Sequence, residues 1–178
     1  MKSSASIGGH PLHPMLIVVP SGGFILTLIM DVVHIVTGND LWWSATRPVL
    51  LLSVIGALVA AIPGLIDLVS VVPKGKPTLT GLSHMVLNLV LVAVASVNTW
   101  TRWTVDLTVP LQGTPGWGWS ALGVAILGAS GWLGWMMVQT YHVGVLETHE
   151  GGLPAEPLAT AASPPILAGP LVEETTAH

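Results

Sequence analysis

Four apolar runs, Met15 to Val36, Val49 to Val72, Leu79 to Thr99 and Trp119 to Thr140, dominate the chain. Each has roughly the 20 residues that a helix needs to cross the hydrocarbon core of a bilayer. Apolar residues make up 51% of the sequence and charged ones 8%, a balance suited to lipid rather than to water. The runs therefore predict an all-α integral membrane protein. Its core is a four-helix transmembrane bundle over residues 15–145, threaded up-down-up-down, with helices near 15–36, 49–72, 79–99 and 119–140. An N-terminal lead, 1–14, carries His-Pro-Leu-His-Pro, and a flexible Pro/Ala-rich tail, 146–178, has no periodicity and is expected to be disordered. The first run is longer than the core of a cleaved signal and is expected to stay in the mature protein.

Several classes fall away on composition. The chain has no cysteine, which removes disulfides, thiolate metal sites and Cys-ligated iron–sulfur clusters, so any cofactor ligand must be His, Met or carboxylate. A formal net charge of −4 gives no footprint for nucleic acid. No nucleophile–base–orienter set, phosphate loop or paired catalytic carboxylates are found, and an enzyme acting alone is not expected.

Local signals refine the spans. Pro14 suits a first helical position, and Pro20 with Gly22 and Gly23 invites a bend that neighbouring helices must cover. Thr37 to Thr46 reads as a polar turn. Gly56, Ala60 and Gly64 form a small-residue ridge on the second helix, and Gly123, Gly128, Gly131 and Gly134 another on the fourth. Packing inside one bundle and a homodimer seam both use such ridges. Trp100, Trp103, Trp117 and Trp119 rim the third connection as an aromatic belt, while Trp132 and Trp135 read as core. Four crossings put both termini on one side. Lys2, Lys74 and Lys76 lie there, against Arg47 and Arg102 on the other, so the positive-inside rule favours cytoplasmic termini.

The same path gathers polar residues at one level. His10 and His13 precede the first helix, Asp67 lies about five residues from the end of the second, His84 about five residues into the third, and His142 follows the fourth. At a rise of about 1.5 Å per residue, Asp67 and His84 sit some 7 to 8 Å deep on consecutive helices and are expected to touch. Intramembrane carboxylates are costly and normally face a partner. One reading is polar glue between helices. The other is a cofactor site, with His84 and either His13 or His142 as haem or metal ligands, Asp67 fixing the His84 tautomer, and Asn88 and His10 close by. Proline after each of His10 and His13 favours extended geometry, which would aim one imidazole inward and leave the other to water. At the opposite end Asp31 is expected to form a structural ion pair with Arg47 or Arg102.

The stretches "GHPLHPMLIVVPSGGFILTLIMD", "AIPGLIDL", "HMVLNLV" and "GWLGWMMVQTYHVGVLE" together resemble the bacterial membrane-protein family named domain of unknown function 2231, from about Gly8 to Glu147. The resemblance implies a four-helix bundle of the bacterial inner membrane, with His10, His13, Asp31, Asp67, His84, Asn88 and Arg102 as its characteristic polar positions. Some members are joined to a Rieske-type domain, which implies membrane electron transfer; this chain has no Rieske ligands, so such a redox partner would be a separate polypeptide. Trp135 and Met136 depart from the family's pattern, where a second Gly and a polar residue are common.

Three functions remain in view. The first is a small electron-transfer component holding haem b, or a metal on the same histidines, near the face with the termini. The second is a cofactor-free accessory subunit packed laterally against other membrane subunits of a respiratory or photosynthetic complex. The third is proton or metal transport through Asp67 and His84.

Overall fold

The computed structural model describes residues 3–108, 111 and 113–145. All lie in the first of two units, Met1–Leu146, and the expected tail, 146–178, lies outside the described residues. A two-residue turn at Gly8 and Gly9, with φ of 58° and 83°, joins β1 (Ser6–Ile7) to β2 (His10–Pro11) in antiparallel register. Only glycine adopts two such residues in succession without strain, so the pair dictates a hairpin. The first helix therefore begins earlier than expected, as α1 (Leu12–Leu16), and continues as α2 (Val18–Thr37). The break at Ile17 has a covalent cause: Pro20 brings no N–H to the Leu16 carbonyl and its ring crowds that oxygen.

The largest departure is the next helix. α3 spans Asp40–Ser70, starting nine residues before the expected Val49, so the Thr37–Thr46 turn shrinks to Gly38 and Asn39. The Asn39 side chain accepts from the Leu41 N–H at 3.0 Å and caps the helix. Pro48 and Pro63 both lie inside this helix, as membrane-spanning helices tolerate where neighbours cover the freed carbonyls. α4 (Lys76–Trp103) and α5 (Trp117–Gln139) follow, each slightly offset from expectation. Both begin at glycines with positive φ, Gly75 and Gly116.

Four helical segments, Leu12–Thr37, Asp40–Ser70, Lys76–Trp103 and Trp117–Gln139, are long and apolar enough to cross a membrane. α2 packs closely along α3, and α4 along α5; lighter contacts join α3 to α4 and α2 to α5. Contacts pair rising numbers on one helix with falling numbers on the next. Pro20 meets Gly56 and Gly23 meets Ser53, whereas Gly81 faces Met137, Asn88 faces Ser130, Asn98 faces Ser120 and Arg102 faces Gly116. The core joins Phe24, Leu50, Leu91 and Ala95, with Val54, Ala57, Ile126 and Leu127 against them.

Polarity is inverted relative to a protein folded in water. The largest fully buried side chains are Trp43, Arg102, Asn98, Thr27, Thr46, Asp31, Ser53 and Ser130, while Val18, Ile29, Leu52, Ile62, Leu65, Val69 and Leu79 are each more than half exposed. A surface of Ile, Leu and Val around a polar interior is what an apolar solvent selects. Of the glycine ridges, Gly56, Ala60 and Gly64 face the first helical segment as expected. On α5 only Gly123 and Gly134 face neighbours; Gly128 and Gly131 open outward. Trp132 and Trp135, expected in the core, lie on the outside at 65% and 54% exposure.

The close α2–α3 seam yields a paired prediction. A side chain at Gly23 would collide with the Ser53 hydroxyl, whereas nothing lies within 4 Å of one at Gly22. Gly23→Val should lower unfolding free energy in detergent by about 1–3 kcal/mol, and Gly22→Val should change it by less than about 0.5 kcal/mol. Chemical denaturation of the two purified variants checks this, and equal effects would discount the seam.

Candidate functional site

At one end of the helices a closed polar cluster surrounds Arg102. Its guanidinium pairs bidentately with Asp31, Nη1 to Oδ1 at 2.9 Å and Nη2 to Oδ2 at 2.6 Å, with both side chains fully buried. Nε donates to Asn98 Oδ1 at 2.9 Å, Nη1 to Thr46 Oγ1 at 2.7 Å and Nη2 to Ser120 Oγ at 3.0 Å. Five N–H groups thus meet five acceptors, drawn from α2, α3, α4 and α5. The Trp43 ring lies 5.5 Å from Arg102 Cζ, its indole N–H donating to the Pro115 carbonyl at 2.8 Å.

Of the two partners considered for Asp31, Arg102 is the one. Arg47 instead donates to the carbonyls of Arg102 and Val105, satisfying the C-terminus of α4, and lies between Trp43 and Trp103. His34 bridges the two connections at this end, with ring nitrogens 3.2 Å from the Asn39 carbonyl and 3.3 Å from that of Gly113. Asp106 accepts from the Thr108 backbone N–H and then its hydroxyl, which holds its carboxyl below the ordinary range.

The opposite end holds the imidazoles, and the expected Asp67–His84 contact does not form there. Asp67 Oδ2 accepts from Ser3 Oγ at 2.6 Å, and Oδ1 from the backbone N–H groups of Ser4 and Ala5 at 2.9 and 3.1 Å. The carboxylate is thereby spent on tying the N-terminal lead to the end of α3. The physical reason is supply: the lead presents unpaired N–H donors that stronger secondary structure does not claim. Asp67 therefore does not fix the tautomer of His84.

Backbone carbonyls do so instead. His84 Nδ1 lies 2.8 Å from the Ser130 carbonyl and 3.0 Å from its hydroxyl, and His13 Nδ1 lies 2.8 Å from the Ala60 carbonyl. Because a carbonyl only accepts, each Nδ1 carries a proton, and in the neutral ring Nε2 is then the acceptor. Asn88 Nδ2 stands 2.8 Å from Ser130 Oγ, 2.8 Å from the His84 carbonyl and 3.1 Å from His84 Nε2. Its two hydrogens face three acceptors, and the longest contact is the one to Nε2.

The two rings meet edge-on, 6.2 Å between centroids with planes at 88°. Each is seated in a glycine notch: a Cβ at Gly64 would fall 2.8 Å from His13 Nδ1, and one at Gly134 3.2 Å from His84 Cε1. His10, by contrast, is exposed and turns back to the Gly8 carbonyl at 3.1 Å, and His142 is exposed after α5 with φ of 54°. The structure thus brings together His13, His84 and Asn88, adds Ser130, and separates Asp67 and His10 into roles in the lead. Among the described residues no three His, Asp or Glu side chains converge as a metal-binding group.

Sequence reasoning missed Trp43, Thr46, Ser120 and Ser130. Trp43, Thr46, Leu50 and Ser53 fall at helical spacing, a signal hidden by reading Thr37–Thr46 as a turn.

The fold and its inverted polarity define a helical chain of the membrane-spanning class. It belongs to the family described as predicted membrane protein (DUF2231), whose model matches residues 9–147. No curated protein and no solved structure matches it.

Removing one charge from the closed cluster should be severe. Asp31→Leu leaves the Arg102 guanidinium buried without a counter-charge and should cost about 3–5 kcal/mol, whereas Asp31→Leu with Arg102→Leu should regain part of that loss. A double-mutant cycle by denaturation in detergent measures the coupling; additive losses would mean that the two charges do not act as a pair.

Proposed function

We propose that the chain crosses the bacterial inner membrane four times, up-down-up-down, with both termini on the cytoplasmic side, as a small component of a membrane electron-transfer system. The observation that carries this reading is the His13–His84 pair, in which two carbonyl-anchored imidazoles from different helical segments meet edge-on at a 6.2 Å ring separation. His13 and His84 would be the residues to hold a metal there, with the Nε2 of His84 exchanging its Asn88 contact for the metal. Two imidazoles suffice as axial ligands of a haem iron, whereas structural zinc takes four protein ligands. A haem iron or comparable transition metal there would supply one-electron transfer. The residues of this chain hold the imidazole tautomers, exclude water with apolar helices and set the dielectric around the centre. The partner is a separate redox protein that meets this face.

Purified from cells supplied with haem precursor, the protein should show a Soret band that His84→Ala lowers at least tenfold. Absence of both that band and stoichiometric bound copper or iron would remove the redox reading.

A second reading, a cofactor-free accessory subunit packing laterally in a larger complex, draws on the outer face of α5. There Trp132 and Trp135 stand 5.5 Å apart and exposed, beside Gly128 and Gly131, whose Cβ positions meet nothing. Comigration with a complex in native electrophoresis, abolished by Gly131→Leu without loss of the fold, is its expected outcome.

A further inference from the structure

The two histidines are not merely close; they occupy the same place in two copies of one pattern. His13 donates to a carbonyl 47 residues later, at Ala60, and His84 to one 46 residues later, at Ser130. Each ring then rests against a glycine four residues beyond that carbonyl, Gly64 and Gly134. Asp31 lies 18 residues after His13, and Arg102 lies 18 after His84. Adding 71 to four of the five buried residues of α2, Pro20, Phe24, Thr27 and Asp31, gives Leu91, Ala95, Asn98 and Arg102, four of the five buried on α4. Adding 70 to Leu50, Ser53 and Ala60 of α3 gives Ser120, Gly123 and Ser130, the buried residues of α5.

Packing repeats as well. The close pairs are α2 with α3 and α4 with α5, and the lighter pairs are α3 with α4 and α2 with α5, which is the pattern a two-fold rotation requires. Residues related by a two-fold touch each other only on its axis. His13 meets His84 at one end, and Asp31 meets Arg102 at the other, some 27 Å along the helix from an 18-residue spacing at about 1.5 Å per residue. Two such meetings define a line.

We infer that the chain is two copies of one helical hairpin, Leu12–Ser70 and Lys76–Gln139, joined in tandem about a two-fold pseudo-axis, and that a single transition-metal centre on that axis takes one imidazole from each copy. The ligand part rests on the proposed function; the duplication does not. A centre held there would draw one imidazole from each copy, so the class is a metal that binds imidazole nitrogen, either a bare ion or the iron of a porphyrin. The opposite end tells the copies apart. Equivalent positions carry Asp31 and Arg102, so each hairpin fits the other, while two identical hairpins would bury like charges against each other.

Two measurements on the full chain separate the parts. In detergent, haem b or Cu²⁺ added to the protein should bind once per chain. Absorbance and electron paramagnetic resonance distinguish the two metals. His13→Ala and His84→Ala should each weaken binding at least tenfold and to the same extent within about threefold, while His10→Ala, at an exposed ring turned back to the Gly8 carbonyl, leaves it unchanged. Binding that survives one of the first two substitutions, or no binding of either metal, overturns the axial site and leaves the duplication standing.

The second measurement is a circular permutant that starts at Gly75, runs through His178 into Met1 and ends at Lys74, keeping both hairpins intact. It should remain monodisperse with a Tm within about 5 °C of the native order, whereas a permutant opened at Gly38, inside a hairpin, should lose more than twice as much. If opening at Gly75 is as damaging as opening at Gly38, the duplication is overturned whatever the metal result.

Discussion

The buried guanidinium of Arg102 is the interaction around which the helices are arranged. In an apolar solvent an unsatisfied donor has no water to turn to, and the cost of each is several kcal/mol. Arg102 meets that demand by drawing Asp31 from α2, Thr46 from α3, Asn98 from its own helix and Ser120 from α5. A helix shifted by one residue along this end would lose its acceptor. Apolar contact between helices is nearly neutral against lipid, so the cluster supplies a register that hydrophobic packing alone would leave loose. Gly116 takes part by omission, since a side chain there would overlap Asn98 and Arg102.

From this fixed end the register propagates to the other. Pro20 against Gly56, Gly23 against Ser53 and Leu91 against Gly123 carry it through the core. It arrives at the notches of Gly64 and Gly134, where the imidazoles lie. The position of His13 also depends on the lead, because the Gly8–Gly9 hairpin and the Asp67 carboxylate fix where the first helix can begin. An Asp that sequence reasoning assigns to the histidine thus acts on it only through the chain.

The spans were legible because length and apolarity are properties of letters. So was the approximate level of each polar residue, since depth follows from counting along a helix. Which groups share a bond was less so. Asp67 and His84 lie on neighbouring helices near one end, yet the carboxylate went to donors in a lead whose hairpin depends on two glycines rather than on hydrophobic pattern. The start of α3 was hidden because the polar residues from Thr37 to Thr46 read as a turn, while the decisive signal, Asn39 as a cap, is one side chain long. Ser130 and Ser120 read as small residues on a glycine-rich helix, and only their partners give them meaning. The repeat was present in the sequence throughout, as His13 and His84 with Asp31 and Arg102 each 18 residues on, but opposite charges at equivalent positions conceal it from a search for likeness.

The two ends differ in one respect that bears on chemistry. Around Arg102 each of the five N–H groups has its acceptor, and the acceptors are themselves bonded, so the cluster has nothing to offer a ligand without losing a bond it needs. Around the histidines the balance is less complete: each Nδ1 is anchored to a carbonyl, and Asn88 has two hydrogens for three acceptors, the Nε2 of His84 being the most distant of them. On the proposed reading, those two half-buried imidazoles, each anchored to a backbone carbonyl, are the groups that a ligand from outside the chain would meet. The inferred duplication sets these two imidazoles at equivalent places in the two hairpins, while the same relation at the other end sets Asp31 against Arg102.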